Sequence, residues 1–181
     1  MSSENDNLTD KQIQRIRLSA CRISEIYKDL TYVFLQKNEV KKYIHEVNLN
    51  KLIIEQIEYF EPLAIKKKLV FNVNLEEYPY SIDKNDFIRL FNNLMSNAIK
   101  YNKIGGTIDI RMKKNQLIIE DSGIGIQEDK LDDIFKRYFR ATSEQGGFGI
   151  GLNIVMHICN TYNIKIDVKT TYKKGTTFIL T

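Results

Sequence analysis

The chain has 181 residues, 43% of them hydrophobic and 28% charged, with a formal net charge of +4. That length buries one full core plus a short extra element, and the composition is ordinary for a folded domain. The mild, dispersed basic excess argues against a nucleic-acid partner; no apolar run approaches the roughly 20 residues of a membrane-spanning helix, and no signal peptide opens the chain.

Residues 1–8 are polar and read as a disordered start. Over 9–37, Ile13, Ile16, Ala20, Ile23, Tyr27, Leu30 and Phe34 recur at alternating steps of three and four, a heptad seam with the charges off it. A lone helix cannot hide such a stripe. No other segment offers a matching one, so self-association through this helix is expected. Cys21 lies within it and Cys159 far downstream, without metal-ligand spacing, as for two reduced, buried thiols. The pattern lapses over 38–48, a Lys/Asn/Glu-rich hinge.

A second helix is predicted over 49–67, with Leu52, Ile53, Ile57, Phe60 and Ala64 at helical spacing and Pro62 expected to kink it or start a new turn. Residues 69–75 read as a strand and 80–82 as a short extended piece. Asp83 can cap a third helix over 84–101, with Phe87, Phe91, Leu94 and Ala98 on its apolar face and Leu90 at the edge. The opposite face aligns Arg89, Asn93, Asn97 and Lys100, with Tyr101 beside them. Asparagine is a mediocre helix former, so two of them one turn apart suggest a lined site.

Gly105-Gly106 makes a turn before a hairpin of 107–113 and 116–120, tipped by Lys114-Asn115. Residues 128–135 form a short helix or turn, 136–148 a mobile loop, 149–162 a helix, and 164–169 and 176–180 two strands joined by a Lys-Lys-Gly turn. This order predicts an α/β (α+β) two-layer sandwich: a mixed sheet of about five strands covered by three helices, preceded by one long bundle helix. Two glycine-punctuated stretches, DSGIGI at 121–126 and GGFGIGL at 146–152, mark places where backbone approaches something closely. An aspartate opens the first and an apolar helix follows the second, which points to a nucleotide pocket.

From about Val47 onward these motifs, in this order, resemble the catalytic ATP-binding domain of bacterial sensor histidine kinases, within the superfamily of DNA gyrase and mismatch-repair ATPases. NLMSNAIKY at 93–101 is similar to the N box, 121–126 to the first glycine box, FKRYFR at 135–140 to the F box, 147–152 to the second glycine box, and GTTF at 175–178 to the terminal strand motif. Residues 9–37 resemble the second helix of the family's dimerisation and phosphotransfer bundle. The resemblance implies a chain without the first helix, the one that bears the phospho-accepting histidine.

The resemblance further implies roles. Asp121 would accept the exocyclic amine of adenine. Gly123 and Gly125 would let backbone pass close to the base, Thr176 would support that end, and Tyr101 and Ile126 would pack on the ring. Asn97 is the implied Mg²⁺ ligand; Asn93 would hold a metal-bound water or phosphate, and Lys100 would neutralise phosphate charge. Gly147, Gly149 and Gly151, with Leu152, would lead backbone N–H groups to the phosphates. Arg137 and Arg140 would reach the γ-phosphate. Phe148 departs from the small hydroxyl residue usual in the second glycine box. Position 93 separates reaction types: hydrolytic superfamily members carry a glutamate there to activate water, and asparagine cannot act as a base. His45 precedes Glu46 as in a phosphorylation box but lies in the hinge without the segment that normally follows, and His157 reads as structural.

The expected function is transfer of the ATP γ-phosphate to a histidine outside this chain, for relay to a response regulator receiver domain, in a homodimeric parent at the bacterial inner membrane whose kinase domain is cytoplasmic. The competing expectation is a serine-phosphorylating, anti-sigma-type kinase or an ATP-gated interaction module.

Overall fold

The computed structural model describes residues 42–140 and 149–181, together with Gln12, Ile13, Ile16, Ile23, Tyr27 and Thr31. The chain divides into two compact units, Met1–Val40 and Lys41–Thr181. In the first, the described positions are all helical. Ile13, Ile16, Ile23 and Tyr27 of the seam are exposed there. Ala20, Cys21, Leu30 and Phe34 lie outside the described residues.

The second unit opens with strand β1 (His45–Asn48), antiparallel to β3 (Pro79–Ile82), with His45 opposite Ile82. Part of the expected hinge is therefore ordered as strand: Val47 buries its side chain while the rest of β1 stays exposed. Helix α1 (Leu49–Lys67) follows at once, because the Asn48 side chain accepts the Lys51 N–H at 3.0 Å and caps it. It buries Leu49, Leu52, Ile53, Phe60 and Ala64 and runs on through Pro62 as one helix, instead of starting anew there. Lys68, at φ 55°, ends it in the left-handed region.

Helix α2 (Lys84–Lys100) starts where Asp83 accepts the N–H groups of Asn85 and Asp86. Its apolar stripe of Phe87, Leu90, Phe91, Leu94, Ala98 and neighbours is buried. Each such side chain contributes roughly 1.5–3 kcal/mol on leaving water. Strands β2 (Val70–Leu75), β4 (Thr107–Lys113), β5 (Gln116–Asp121), β6 (Ile166–Thr171) and β7 (Gly175–Leu180) form one sheet in the order β2-β4-β5-β7-β6. β2 and β4 pair in parallel, the others antiparallel. Alternation puts Ile108, Ile110, Met112, Leu117, Ile119, Phe178 and Leu180 on the covered face. Helix α3 (Gly151–Thr161) packs beside α2 through Ile154, Val155 and Ile158. A 3₁₀ turn spans Glu128–Asp133. The result is the two-layer sandwich with a mixed five-stranded sheet.

The first described residues of this unit are tied to the start of α2. The Lys42 ammonium lies 2.7 Å from buried Asp86 Oδ2 and 5.2 Å from the centre of the Tyr162 ring. The Tyr162 hydroxyl donates to the same Asp86 oxygen at 2.8 Å, and the Tyr43 N–H donates to Asp83 Oδ2 at 3.0 Å. Burial, with the Asp86 bond adding to it, pushes the Tyr162 phenol pKa well up. Among the described residues no helix is long and apolar enough to cross a membrane.

Candidate functional site

The C-terminal half of α2 brings its two asparagines into different roles. Asn93 Nδ2 donates to the Arg89 carbonyl at 2.8 Å, with its Oδ1 toward the start of α3. That oxygen lies 2.5 Å from where a β-carbon on Gly151 would stand. The asparagine face of α2 and the second glycine stretch therefore share a wall. Asn97, one turn on, is half-buried, and its side-chain amide makes no hydrogen bond to another described residue. Lys100 places its ammonium 4.7 Å from the centre of the Tyr101 ring.

At the far end of β5, Asp121 is buried to 8% exposure. Its Oδ1 accepts the Gly123 N–H at 2.8 Å, and the Thr176 N–H also donates to its carboxylate. Burial pushes the carboxyl pKa up to about 6, with these two N–H groups pulling it down and Glu120 adding a smaller upward push. The glycine stretch then turns onto the end of α2. The Ile124 N–H donates to the Tyr101 carbonyl at 3.0 Å, and a β-carbon on Gly123 would collide with that same oxygen. Gly125, at φ +64°, lies against the Thr171 backbone of the β6–β7 hairpin. The Ile126 N–H donates to Thr170 Oγ1 at 2.9 Å, and Thr170 in turn lies 3.2 Å from the hydroxyl of buried Thr176.

Among the described residues, the start of α3 has no side-chain cap and no acidic residue in its first turn, where the positive end of the helix dipole lies. Gly149, at φ +68°, lies under the backbone of Tyr138 and Phe139, and the Tyr138 N–H donates to its carbonyl at 2.9 Å. Arg137 Nε donates to Asn153 Oδ1 at 3.0 Å, which ties the arginine to the first turn of α3; Arg140 is exposed. Leu152 is half-buried in that turn. Gly147 and Phe148 lie outside the described residues.

Residues 82–181 match the family model for histidine kinase-, DNA gyrase B- and HSP90-like ATPases. The chain belongs to this family.

Its curated relatives include a heme sensor protein, HssS, of Staphylococcus saprophyticus subsp. saprophyticus, 28% identical over 188 residues that cover 99% of this chain and 40% of the relative. A second is the histidine protein kinase SaeS of Staphylococcus aureus, 29% identical over 90% of this chain and 50% of its own length. The chain thus spans half or less of these relatives. Among solved structures, the catalytic domain of histidine kinase ThkA superposes with a TM-score of 0.68 at 27% identity, covering 76% of this chain and 93% of that one. Within the family, the chain is thus similar to proteins named as sensor or histidine kinases.

Three residues that organise this candidate site were not singled out from the sequence. Asn102, 5% exposed, donates to the Thr107 carbonyl at 3.0 Å and accepts the Lys103 N–H at 3.0 Å and the Ser122 hydroxyl at 3.3 Å. Ser122 in turn accepts the Thr107 N–H at 2.8 Å. Together they staple the end of α2, the start of β4 and the first glycine stretch. Thr170 does the same between that stretch and β7. An asparagine directly after a helix and before a Gly-Gly turn was the one available signal. Cavities of two kinds occur among the described residues. A polar one of about 220 Å³ lies beside the Asp121 backbone, and an apolar one of about 50 Å³ by Phe87 and Leu117 contains none of the predicted site residues.

Proposed function

We propose that this domain binds Mg²⁺–ATP and donates the γ-phosphate to a histidine outside this chain, for relay to the receiver domain of a response regulator. The observation that carries the reading is the meeting of Asn93 with Gly151, which sets an asparagine face against an uncapped helix start. A carboxylate there could deprotonate water; an amide cannot, so the site holds ATP for an external nucleophile and does not hydrolyse it.

The roles follow from chemistry. Mg²⁺ takes hard oxygen ligands, few of them from protein, and the half-buried Asn97 amide oxygen fits one such place. Bound there, the ion would neutralise charge on the β- and γ-phosphates. Asn93 Oδ1 would hold a water or phosphate beside it, with Lys100 and Arg140 as counter-charges. The N–H groups at Gly151 and Leu152, in the first turn of α3, suit phosphate oxygens, and Gly147, Phe148 and Gly149 belong to the same stretch. At the other end, the Asp121 carboxylate suits the adenine amine and would leave guanine's carbonyl unpaired. Gly123, Gly125, Ile126, Tyr101 and Thr176 complete that seat, and Arg137 positions the first turn of α3.

His45 is not the acceptor in this reading. It pairs with Ile82 just before α2, and at about 1.5 Å per residue Asn97 lies roughly 20 Å further along that helix. The exposed seam of Ile13, Ile16, Ile23 and Tyr27 supports a homodimeric parent in which a histidine-bearing first helix completes the bundle. One solved relative of the same fold is a complex of histidine kinase ThkA with response regulator protein TrrA, with a TM-score of 0.73 at 23% identity, covering 92% of this chain and 49% of that one. A cytoplasmic location under a membrane-bound parent follows from the same reading.

Incubation of this chain with Mg²⁺, γ-labelled ATP and the histidine-bearing bundle supplied in trans should give acid-labile label on the bundle. Label on His45, acid-stable phosphoserine, or steady phosphate release without acceptor would overturn the proposal.

A further inference from the structure

Four consecutive carbonyls, those of residues 99–102, close the C-terminal end of α2, and they divide between two partners. The carbonyls of Lys100 and Asn102 accept from the Lys67 ammonium at 2.8 and 3.1 Å, and that of Ile99 accepts from it at 2.9 Å. The carbonyl between them, of Tyr101, takes the Ile124 N–H at 3.0 Å. A helix end leaves its last carbonyls without helical partners, and a cation there also meets the negative end of the dipole. Lys67 uses its three donors on this one turn, from the last residue of α1, while its own carbonyl accepts the Gly105 N–H at 3.0 Å. Its side chain is part-buried, and burial pulls its pKa down.

We infer that Lys67 is a positioning residue for the adenine end of the nucleotide site: by holding the carbonyls on either side, it aims the Tyr101 carbonyl at the first glycine stretch. The inference rests on the nucleotide reading above. Its chain of contacts is short. Gly123 sits directly on the Tyr101 carbonyl, and Asp121 Oδ1 accepts the Gly123 N–H. Lys100 and Tyr101, both assigned to the nucleotide, project from the same turn. Without the ammonium, the carbonyls of Ile99, Lys100 and Asn102 all lose this donor, and the peptide planes of residues 100–102 are free to rotate. A lysine that merely stabilised the fold would lower the melting temperature and leave the folded protein's affinity intact.

The test uses the full 181-residue chain. Lys67→Met keeps the aliphatic length and removes the donors; Lys67→Arg keeps the charge but presents a planar fork to three convergent acceptors. ADP dissociation constants are measured by calorimetry well below each variant's melting temperature, and amide resonances of Gly123 and Ile124 are followed by NMR. Lys67→Met should weaken ADP binding by about tenfold, the scale of one or two lost hydrogen bonds, and shift both amides. Lys67→Arg should fall between it and wild type. Should Lys67→Met not fold, Lys67→Arg is decisive, with a loss of about threefold expected. Unchanged affinity in the folded variant, or unmoved Gly123 and Ile124 amides, overturns the inference alone. Failure of wild type to bind ADP overturns the nucleotide reading and the inference with it.

Discussion

The side-chain oxygen of Asn93 stands 2.5 Å from the point where Gly151 would carry a β-carbon. Helix α2 and the start of α3 thus meet through one amide and one absent methyl. Gly151→Ala places a methyl group in that space and must displace the amide. Alanine is also the better helix former, by up to about 1 kcal/mol. Stability and function should therefore separate: an unchanged or raised melting temperature with ATP affinity lowered about tenfold. Calorimetry beside thermal unfolding measures both, and parallel losses would show a general disruption instead.

Asp121 gives a pH dependence of unusual sign. Its folded pKa of about 6 lies above the ordinary 3.8 because of burial. Between those values the folded state holds a proton that the unfolded chain has released, so this residue destabilises the fold at pH 7 and ceases to do so on acidification. Asp121→Asn should be more stable than wild type at pH 7 by on the order of 2–3 kcal/mol. The gap should narrow at pH 5 in urea titrations. The same variant should lose adenosine binding. In wild type, adenosine binding near pH 6 should release protons, since a donated amine hydrogen favours the charged carboxylate; proton uptake would contradict the assignment.

Asn102 makes three hydrogen bonds from a buried position. Asn102→Ala leaves the Thr107 carbonyl, the Lys103 N–H and the Ser122 hydroxyl short of a partner. The expected cost is about 2–3 kcal/mol in urea unfolding. A loss below half a kilocalorie would mean that water replaces the amide freely.

Thr170→Val keeps the shape and removes the hydroxyl that accepts the Ile126 N–H. Stability should fall by about 1 kcal/mol. The Ile126 amide should exchange faster with solvent than in wild type, and unaltered exchange there would deny Thr170 this role.

Cys159 is fully buried in α3, and burial pushes its thiol pKa up to about 12. Peptide mapping after iodoacetamide treatment at pH 8 should find it unmodified in folded protein and alkylated once unfolded.

The parts of this fold that repeat along the chain were legible in it. The stripe from Phe87 to Ala98 and the Asp83 cap located α2, and alternation located the hairpin of β4 and β5. Strand β1 was not legible, since only Val47 of its four residues is buried and pairing with distant Ile82 holds it extended. Asn93, Asn97 and Asp121 stood out because their types contradict their settings: poor helix formers in a helix, a carboxylate closing an apolar strand. Asn102, Ser122 and Thr170 did not, because polar residues near turns are commonplace and only the folded chain brings them together. Lys67 marked only the end of a predicted helix, with nothing local to tell that another helix's terminus was its target.

The tie of Lys42 and Tyr43 to Asp86, Asp83 and Tyr162 has a mechanical meaning. These contacts grip the first turn of α2. The helix is a stiff rod of about 25 Å, and Asn97 and Lys100 ride at its other end. A force applied at Tyr43 would therefore act on the butt of a strut whose tip carries the side chains proposed to face the phosphates. A packed helix bends far less readily than a loop, so a displacement there would carry the tip with it.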